Sequence, residues 1–416
     1  MADGQRIVVV GGGAAGFMAA IAARSFRPDA SVVLYERSEK WLAKVRISGG
    51  GRCNVTHDRS DPKQLARNYP RGEAFLRKVF KAWGQPETVK WFAAQGLGLK
   101  AEKDGRMFPL SDDSASVIAV LWNAAERAGV ELRARNGISS LRFREDRWHL
   151  TSAAGPLEAD RVVLATGGSP KIEGLAWIAA LGHAIVPPVP SLFTFDLVDD
   201  PIRQLMGVVA PEVRLRLEGS GLESTGPLLI THWGFSGPAV LRLSAFGARI
   251  LHDLDYRFTV QVNWLGVDGG PQRFREVLRT VSTTHPHRHL ANIEGVELPK
   301  RLWEYLLGRA GIALDKPVGE LGRKDTERLL DVLVNDRYRA NGKTTFKEEF
   351  VTAGGVSLDQ VDPLTMESRI LPGLHFAGEL LDIDGITGGF NFQAAWSTGW
   401  LAGKAAAALS DPRSGR

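Results

Sequence analysis

Gly11, Gly13 and Gly16 stand in GxGxxG spacing within RIVVVGGGAAG, and Glu36 follows twenty residues after Gly16. Such a trio suits a phosphate. The first glycine allows a tight turn, the second lets backbone approach a pyrophosphate, and the third lets a helix pack closely on a strand. An acid at the position of Glu36 offers a ribose hydroxyl its acceptor. The chemistry implied is dinucleotide binding. A second cluster, Gly49-Gly50-Gly51, lies in RISGGGRCNVTH between the cations Lys44, Arg46 and Arg52 and the hydrogen-bonding residues Asn54 and Thr56. It suits extended backbone pressed against something flat or charged. Cys53, the single thiol, is a candidate catalytic group if Arg52 and His57 lower its pKa, and a small buried filler otherwise. His232, in THWGFSGP, is a second candidate proton donor, with a satisfied structural histidine as the alternative. His285, His287 and His289 alternate around Pro286 with no acid or cysteine nearby, which reads as a polar loop; no metal site is expected.

Elements must bring these residues together. Ile7–Val10 is a short β-branched run of the kind buried on both faces of a parallel sheet, Ala14–Ala23 reads as a small-residue helix, and Ser31–Glu36 as a second strand. The helix N-terminus would aim N–H groups and partial positive charge at the phosphate. Asp160–Gly168 is another buried strand running into glycines, suited to close passage of a cofactor. Glu73–Ala94 has helical apolar spacing broken by Gly84 and Pro86, Gly105–Pro109 reads as a turn, and a helix capped by Asp112 or Asp113 stops at Gly129. Segments near Val130–Arg135, Ser139–Arg144 and Arg147–Ser152 suggest a meander of hairpin character. Pro187, Pro188 and Pro190 mark a boundary. Residues 191–347 then hold strand-like runs at Leu192–Val198, Val208–Leu217 and Tyr256–Trp264, followed by helical stretches near Gln272–Ser282, Pro299–Arg309 and Lys324–Val334. From Phe350 the chain is glycine-rich and apolar again, with a strand at Leu374–Ala377 and a helix at Gln393–Leu409 behind Gly388-Gly389. Residues 1–190 and 348–416 are therefore expected to build one domain around an inserted middle.

The bulk composition narrows the classes. With 416 residues, 44% hydrophobic and 24% charged, the chain has the profile of a globular protein with ample core. No apolar run approaches the roughly 18 residues a membrane span needs, and the first strand begins too early to leave room for a signal peptide. One cysteine excludes an intramolecular disulfide and a CxxC redox pair, and a cytoplasmic location follows as the expectation. The net charge is +5, but Arg37–Arg106 holds 16 Lys or Arg against 7 Asp or Glu. Some of these cations, Arg37 and Lys44 among them, would serve cofactor phosphates on an otherwise solvated basic face. The alternative is a surface that attracts a polyanion such as RNA. Nothing in the chain asks for DNA.

RISGGGRCNVTH, VVLATGG, ITHWGFSGPAVLRLS, VTAGGV and FAGELLDIDGITGGFNFQAAWSTG together resemble the HI0933-like family of FAD-dependent oxidoreductases, in order and from first strand to last helix. The resemblance implies an α/β fold: a Rossmann-like FAD-binding domain of the two-dinucleotide-binding-domain type, with an inserted β-barrel-like subdomain and a helical subdomain. It implies that Gly11, Gly13, Ala14, Ala15 and Gly16 form the pyrophosphate turn and that Glu36 is the ribose acid. Gly49, Gly50, Gly51, Arg52, Cys53 and Asn54 would run beside the flavin half of FAD, with Ala165, Thr166 and Gly167 at the strand junction. Gly378 and Glu379 would approach the ribityl chain, and Gly389, Phe390, Asn391 and Gln393 the pyrimidine edge. Family members commonly carry tyrosine where this chain has Phe390, so a hydroxyl contact is missing there.

No second strand-GxGxxG-helix unit exists, so NAD(P)H, if used, would bind transiently in the substrate cavity. The implied activity is a reductase passing hydride from NAD(P)H to an unsaturated small molecule. Two alternatives stand beside it: an enzyme reducing uridine to dihydrouridine in ribosomal RNA, and a flavin-binding protein without turnover.

Overall fold

A computed structural model describes residues 5–266, 270–344 and 351–408 and divides into two units, 1–191 with 347–416 and 192–346. The seam expected at 347/348 and the end of the last helix at Leu409 lie outside the described residues.

The first unit is built on a five-stranded parallel sheet. Its order is Leu374–Phe376, Arg161–Leu164, β1 (Arg6–Val10), β2 (Ser31–Tyr35) and Glu131–Arg133. Val8, Val9, Val33, Leu34, Val162 and Val163 are buried, as parallel strands covered on both faces must be. Read by chain position, that is the 3-2-1-4-5 arrangement of a doubly wound sheet. The topological switch point lies between β1 and Arg161–Leu164, and ligands bind beyond the carboxyl ends of the strands there. Gly11 fits that point because a Cβ would run into Ala165 O, and its φ of 109° is itself a glycine conformation.

Helix α1 (Ala14–Phe26) lies on this sheet and against the last described helix, Phe390–Ala406. Alanines and glycines at the contact let the two backbones come close: a Cβ at Gly399 would strike Ala15 O, and one at Gly403 would strike Ala19 O.

Several expectations change here. Gly105–Pro109 is no turn: Arg106–Pro109 is the central strand of a small antiparallel sheet with Thr56–His57 and Leu99–Ala101. Glu131–Arg133 joins the parallel sheet as its edge, so the meander is instead Ile138–Arg144, Arg147–Ser152 and Gly155–Ala159. Gly49-Gly50-Gly51 is not extended. All three have positive φ (60°, 69° and 86°) and form a tight left-handed turn. Ser191 belongs to the first unit, where its hydroxyl donates to Asp384 Oδ2 at 2.6 Å.

The second unit carries a seven-stranded antiparallel sheet in the order 336–341, 257–263, 209–217, 223–230, 234–236, 194–196, 343–344. Gly342 ties its two edges together: its N–H donates to Tyr256 O at 2.9 Å, and its carbonyl accepts from Asp196 N–H at 3.3 Å. That near-closure gives the sheet its barrel-like character. Helices Gly270–Thr284, Lys300–Arg309 and Arg323–Asn335 bury Phe274, Leu302, Trp303, Leu306, Leu329 and Leu333 in its core.

Candidate functional site

The residues at the switch point form an open turn that could receive a phosphate. The first-turn N–H groups of α1 lack intrahelical partners by construction, and a Cβ at Gly13 would meet no atom within 4 Å. Gly16 is packed so tightly on Gly11 O that no side chain fits, which seats the helix directly behind the turn. Glu36, just past β2, accepts from Gly12 N–H at 2.8 Å with one oxygen and from Ser38 N–H (2.9 Å) and hydroxyl (2.8 Å) with the other. Its carboxylate is thereby fixed beside the glycine turn. Arg37 is exposed and forms no ion pair among the described residues.

Across the crevice, Gly378 (φ 71°) donates its N–H to Thr398 Oγ1 at 2.9 Å and lies against Ala15. Glu379 is fully engaged. One oxygen accepts from Thr352 N–H (2.9 Å) and hydroxyl (3.3 Å), and the other is 2.7 Å from Lys44 Nζ. Lys44 therefore reaches the C-terminal segment rather than standing free beside a phosphate. Thr352 was not singled out from sequence, and VTAGG offers no motif that marks its hydroxyl. Beyond the parallel strand, Gly167 (φ 77°) faces open space, and Ala165 N–H is bonded to Val10 O at 2.8 Å. Thr166 lies between them.

The RCNVTH and TGGFNFQ segments meet directly. With its amide oriented to satisfy its neighbours, Asn54 Nδ2 donates to Thr56 O at 2.9 Å and Oδ1 accepts from Gly389 N–H at 3.0 Å. His57 Nδ1 lies 3.1 Å from Gly388 O, and its ring stacks on Phe390 at 4.6 Å. Tyr69 donates to Phe390 O at 2.6 Å, and Asn391 brackets Gly385 through both of its amide atoms. These contacts fix the N-terminus of the Phe390–Ala406 helix. The free N–H groups of its first turn are available to a negatively polarised acceptor.

Five expected site residues are placed as follows. Cys53 is fully buried at φ 60°, and burial pushes its thiol up to about 12, so the cations nearby do not make it a thiolate. Arg52 faces acids instead of the glycine turn: its guanidinium is 2.7 Å from Glu102, 3.5 Å from Asp112 and stacked over Phe108. Gln393 is fully buried and committed to Thr56 (2.5 Å), Thr88 and Ser397 (2.9 Å each), so it positions the helix from inside rather than touching a ligand. Phe390 is likewise turned inward. His232, in the second unit, is exposed; its turn is set by Thr231–Gly234 hydrogen bonds, and its carbonyl accepts from Arg203 Nε at 2.7 Å.

This geometry fits FAD. An open glycine turn, free helix N–H groups and a fixed acid could receive an adenosine ribose and a pyrophosphate, and open space also lies over Gly50 and Gly51. Among the described residues no cluster of His, Cys, Asp or Glu could hold a metal, and no helix is long and apolar enough to cross a membrane.

Comparison with known proteins gives concordant results. The model of the HI0933-like protein Rossmann domain matches residues 5–405. A 3-dehydro-bile acid delta(4,6)-reductase of Clostridium scindens is 33% identical, covering 97% of this chain and 99% of the relative. A ribosomal RNA dihydrouridine synthase of Escherichia coli is 30% identical over 94% and 96% of the two chains. Among solved structures, 3-ketosteroid-delta4-(5alpha)-dehydrogenase from Rhodococcus jostii aligns with TM-score 0.51 at 15% identity, covering 97% of both chains, a likeness of fold.

Proposed function

We infer the following from the fact that this chain belongs to the HI0933-like family and is an FAD-dependent oxidoreductase: it works as a reductase, drawing hydride from NAD(P)H and delivering it to an unsaturated small molecule. The single observation that carries the reading is the doubly wound switch point, where Gly11–Gly16 and Ala165–Gly167 stand side by side. The extended identity to a protein named as a reductase gives the direction of the chemistry.

FAD, when bound, supplies the hydride chemistry. The chain's own residues bind and orient it. The α1 N-terminus and the Gly11–Gly16 turn would take the pyrophosphate, and Glu36 would take the adenosine ribose by exchanging a protein N–H for a hydroxyl. Gly50, Gly51 and Asn54 would border the flavin half, with Gly378 and Glu379 along the ribityl chain. The helix starting at Phe390 would stabilise negative charge at the pyrimidine edge through its N–H groups. Cys53, fully buried and so weak an acid, is not the source of the proton a reduced double bond needs.

The deciding experiment is anaerobic addition of NADH or NADPH to the purified yellow protein, followed by an α,β-unsaturated ketone. Flavin absorbance should bleach and then return. A flavin that stays oxidised with both nucleotides would sink the reading in favour of binding without turnover.

A second reading rests on a separate observation. Arg59, Lys63, Arg67, Arg77, Lys78 and Lys81 are exposed and in no ion pair among the described residues. Such a surface suits the phosphates of RNA, with uridine as the reduced group. RNA affinity should then fall steeply with salt, and removing four of these cations should flatten that slope; an unchanged slope removes this alternative.

A further inference from the structure

The peptide between Gly388 and Gly389 is held at both of its polar groups by side chains from one short segment. Its carbonyl faces His57 Nδ1 at 3.1 Å, and its N–H donates to Asn54 Oδ1 at 3.0 Å. A carbonyl only accepts, so the neutral imidazole must carry its proton on Nδ1. Burial pushes the His57 pKa down, which favours that neutral form; Arg59 acts in the same direction, while the Gly388 carbonyl, Asp104 and Asp58 act against it. The ring's place is fixed as well. Phe390 stacks on one face with an interplanar angle of 24°, and Gly105 closes on Nε2 so tightly that a Cβ there would stand 2.6 Å away.

Gly388 (φ 126°) and Gly389 (φ 87°) both use glycine conformations, and a peptide flanked by two such residues can rotate readily. Rotation would reverse its dipole directly in front of the Phe390 helix. Two side chains holding opposite ends of one peptide remove that freedom. We propose that His57 and Asn54 form a peptide clamp that keeps the Gly388–Gly389 plane in the one orientation that leaves the Phe390 helix N-terminus facing the flavin pyrimidine edge.

His57 is thus a positioning residue, acting through the peptide and not on the substrate. The proposal rests on the reading of that helix as the flavin-facing one. Its consequence is differential: reduced flavin carries the extra negative charge that a fixed helix N-terminus stabilises, so the clamp should tighten reduced FAD more than oxidised FAD.

Two variants separate donor from ring. His57→Asn keeps an amide donor near the Nδ1 position and loses the stack, whereas His57→Phe keeps the stack and loses the donor. FAD dissociation constants are measured for each in the oxidised form and, with dithionite, in the reduced form, beside thermal melts of the apoprotein. His57→Phe should weaken reduced FAD about five- to tenfold more than oxidised FAD, the value of one lost hydrogen bond, and His57→Asn should recover most of that difference. Melting changes with an unaltered reduced-to-oxidised affinity ratio in both variants would overturn the clamp and leave His57 a packing residue. Gly13→Val serves as the control: if it too leaves FAD affinity intact, the cofactor reading itself has failed, and not the clamp alone.

Discussion

Cys53 and Glu36 show how a side chain's surroundings decide whether it serves packing or chemistry. A thiol pushed up to about 12 by burial is almost wholly protonated at neutral pH. Native protein should therefore react with iodoacetamide far more slowly than denatured protein, and Cys53→Ala should leave turnover within about twofold of the parent. Rapid labelling at pH 7 without loss of fold would contradict the buried-thiol assignment. Glu36 is different because its hydrogen bonds to Gly12 and Ser38 hold it at the mouth of the glycine turn. Glu36→Ala removes an acceptor for ribose and also frees Gly12 N–H; charged hydrogen bonds are worth about 1.5–3 kcal/mol. FAD retention through gel filtration should drop by an order of magnitude or more, and full occupancy would show that the carboxylate is only a turn cap.

At the scale of elements, the contact between α1 and the Phe390–Ala406 helix decides whether the cofactor crevice keeps its shape. Gly399 sits mid-helix and Gly403 in the last turn, and alanine is intrinsically favoured over glycine in a helix interior by about 1 kcal/mol. Each glycine, however, faces a backbone carbonyl of α1 that cannot rotate away. Overpacking of that kind costs about 1–3 kcal/mol, which exceeds the propensity gain. Gly399→Ala and Gly403→Ala should each lower the urea midpoint and weaken FAD binding together, since Ala15 lies at the cradle. A midpoint equal to or above the parent's would mean that the helices can separate without loss.

For the whole molecule, three buried histidines contribute to acid sensitivity. His57, His183 and His375 all have pKa values lowered by burial below the usual 6.5. The unfolded chain binds protons at about pH 6.5, whereas the folded one resists until lower pH. Stability is therefore fully present above 6.5 and falls as pH drops below it, at up to about 1.4 kcal/mol per pH unit for each histidine in that window. His183→Gln keeps a partner for the Ser368 hydroxyl, 2.8 Å from the imidazole, and removes the titration. Its unfolding free energy should vary less between pH 6.5 and 5 than the parent's. Identical slopes would assign the acid sensitivity elsewhere.

Read from residues alone, the strands Ile7–Val10 and Ser31–Glu36 and the glycine turn were legible, because each is a local pattern of hydrophobic period or glycine spacing, whereas Pro187, Pro188 and Pro190, read as a boundary, lie within the strand Ile185–Ser191. The pairings were not legible. Strands at Leu99–Ala101, Ile185–Ser191, Glu223–Ile230 and Asp336–Asn341 carry too few apolar residues in unbroken alternation to mark them, and pairing completes them: with Arg106–Pro109, Val351–Val356, Val209–Leu217 and Arg257–Asn263 respectively. Glu131–Arg133 could not be told from a hairpin strand, since a three-residue run takes its identity from the sheet that accepts it.

What the sequence determined by itself is the cofactor class, because phosphate recognition by glycine turn and helix N-terminus is written in consecutive residues. Only the tertiary structure decided what stands opposite each candidate side chain. Burial turned Cys53 and Gln393 inward, Glu102 and Asp112 drew Arg52 away, and the Gly388–Gly389 peptide came under His57 and Asn54. The reason is physical: a side chain's role depends on the charge, donor or volume opposite it, and what stands opposite is set by contacts across more than three hundred residues.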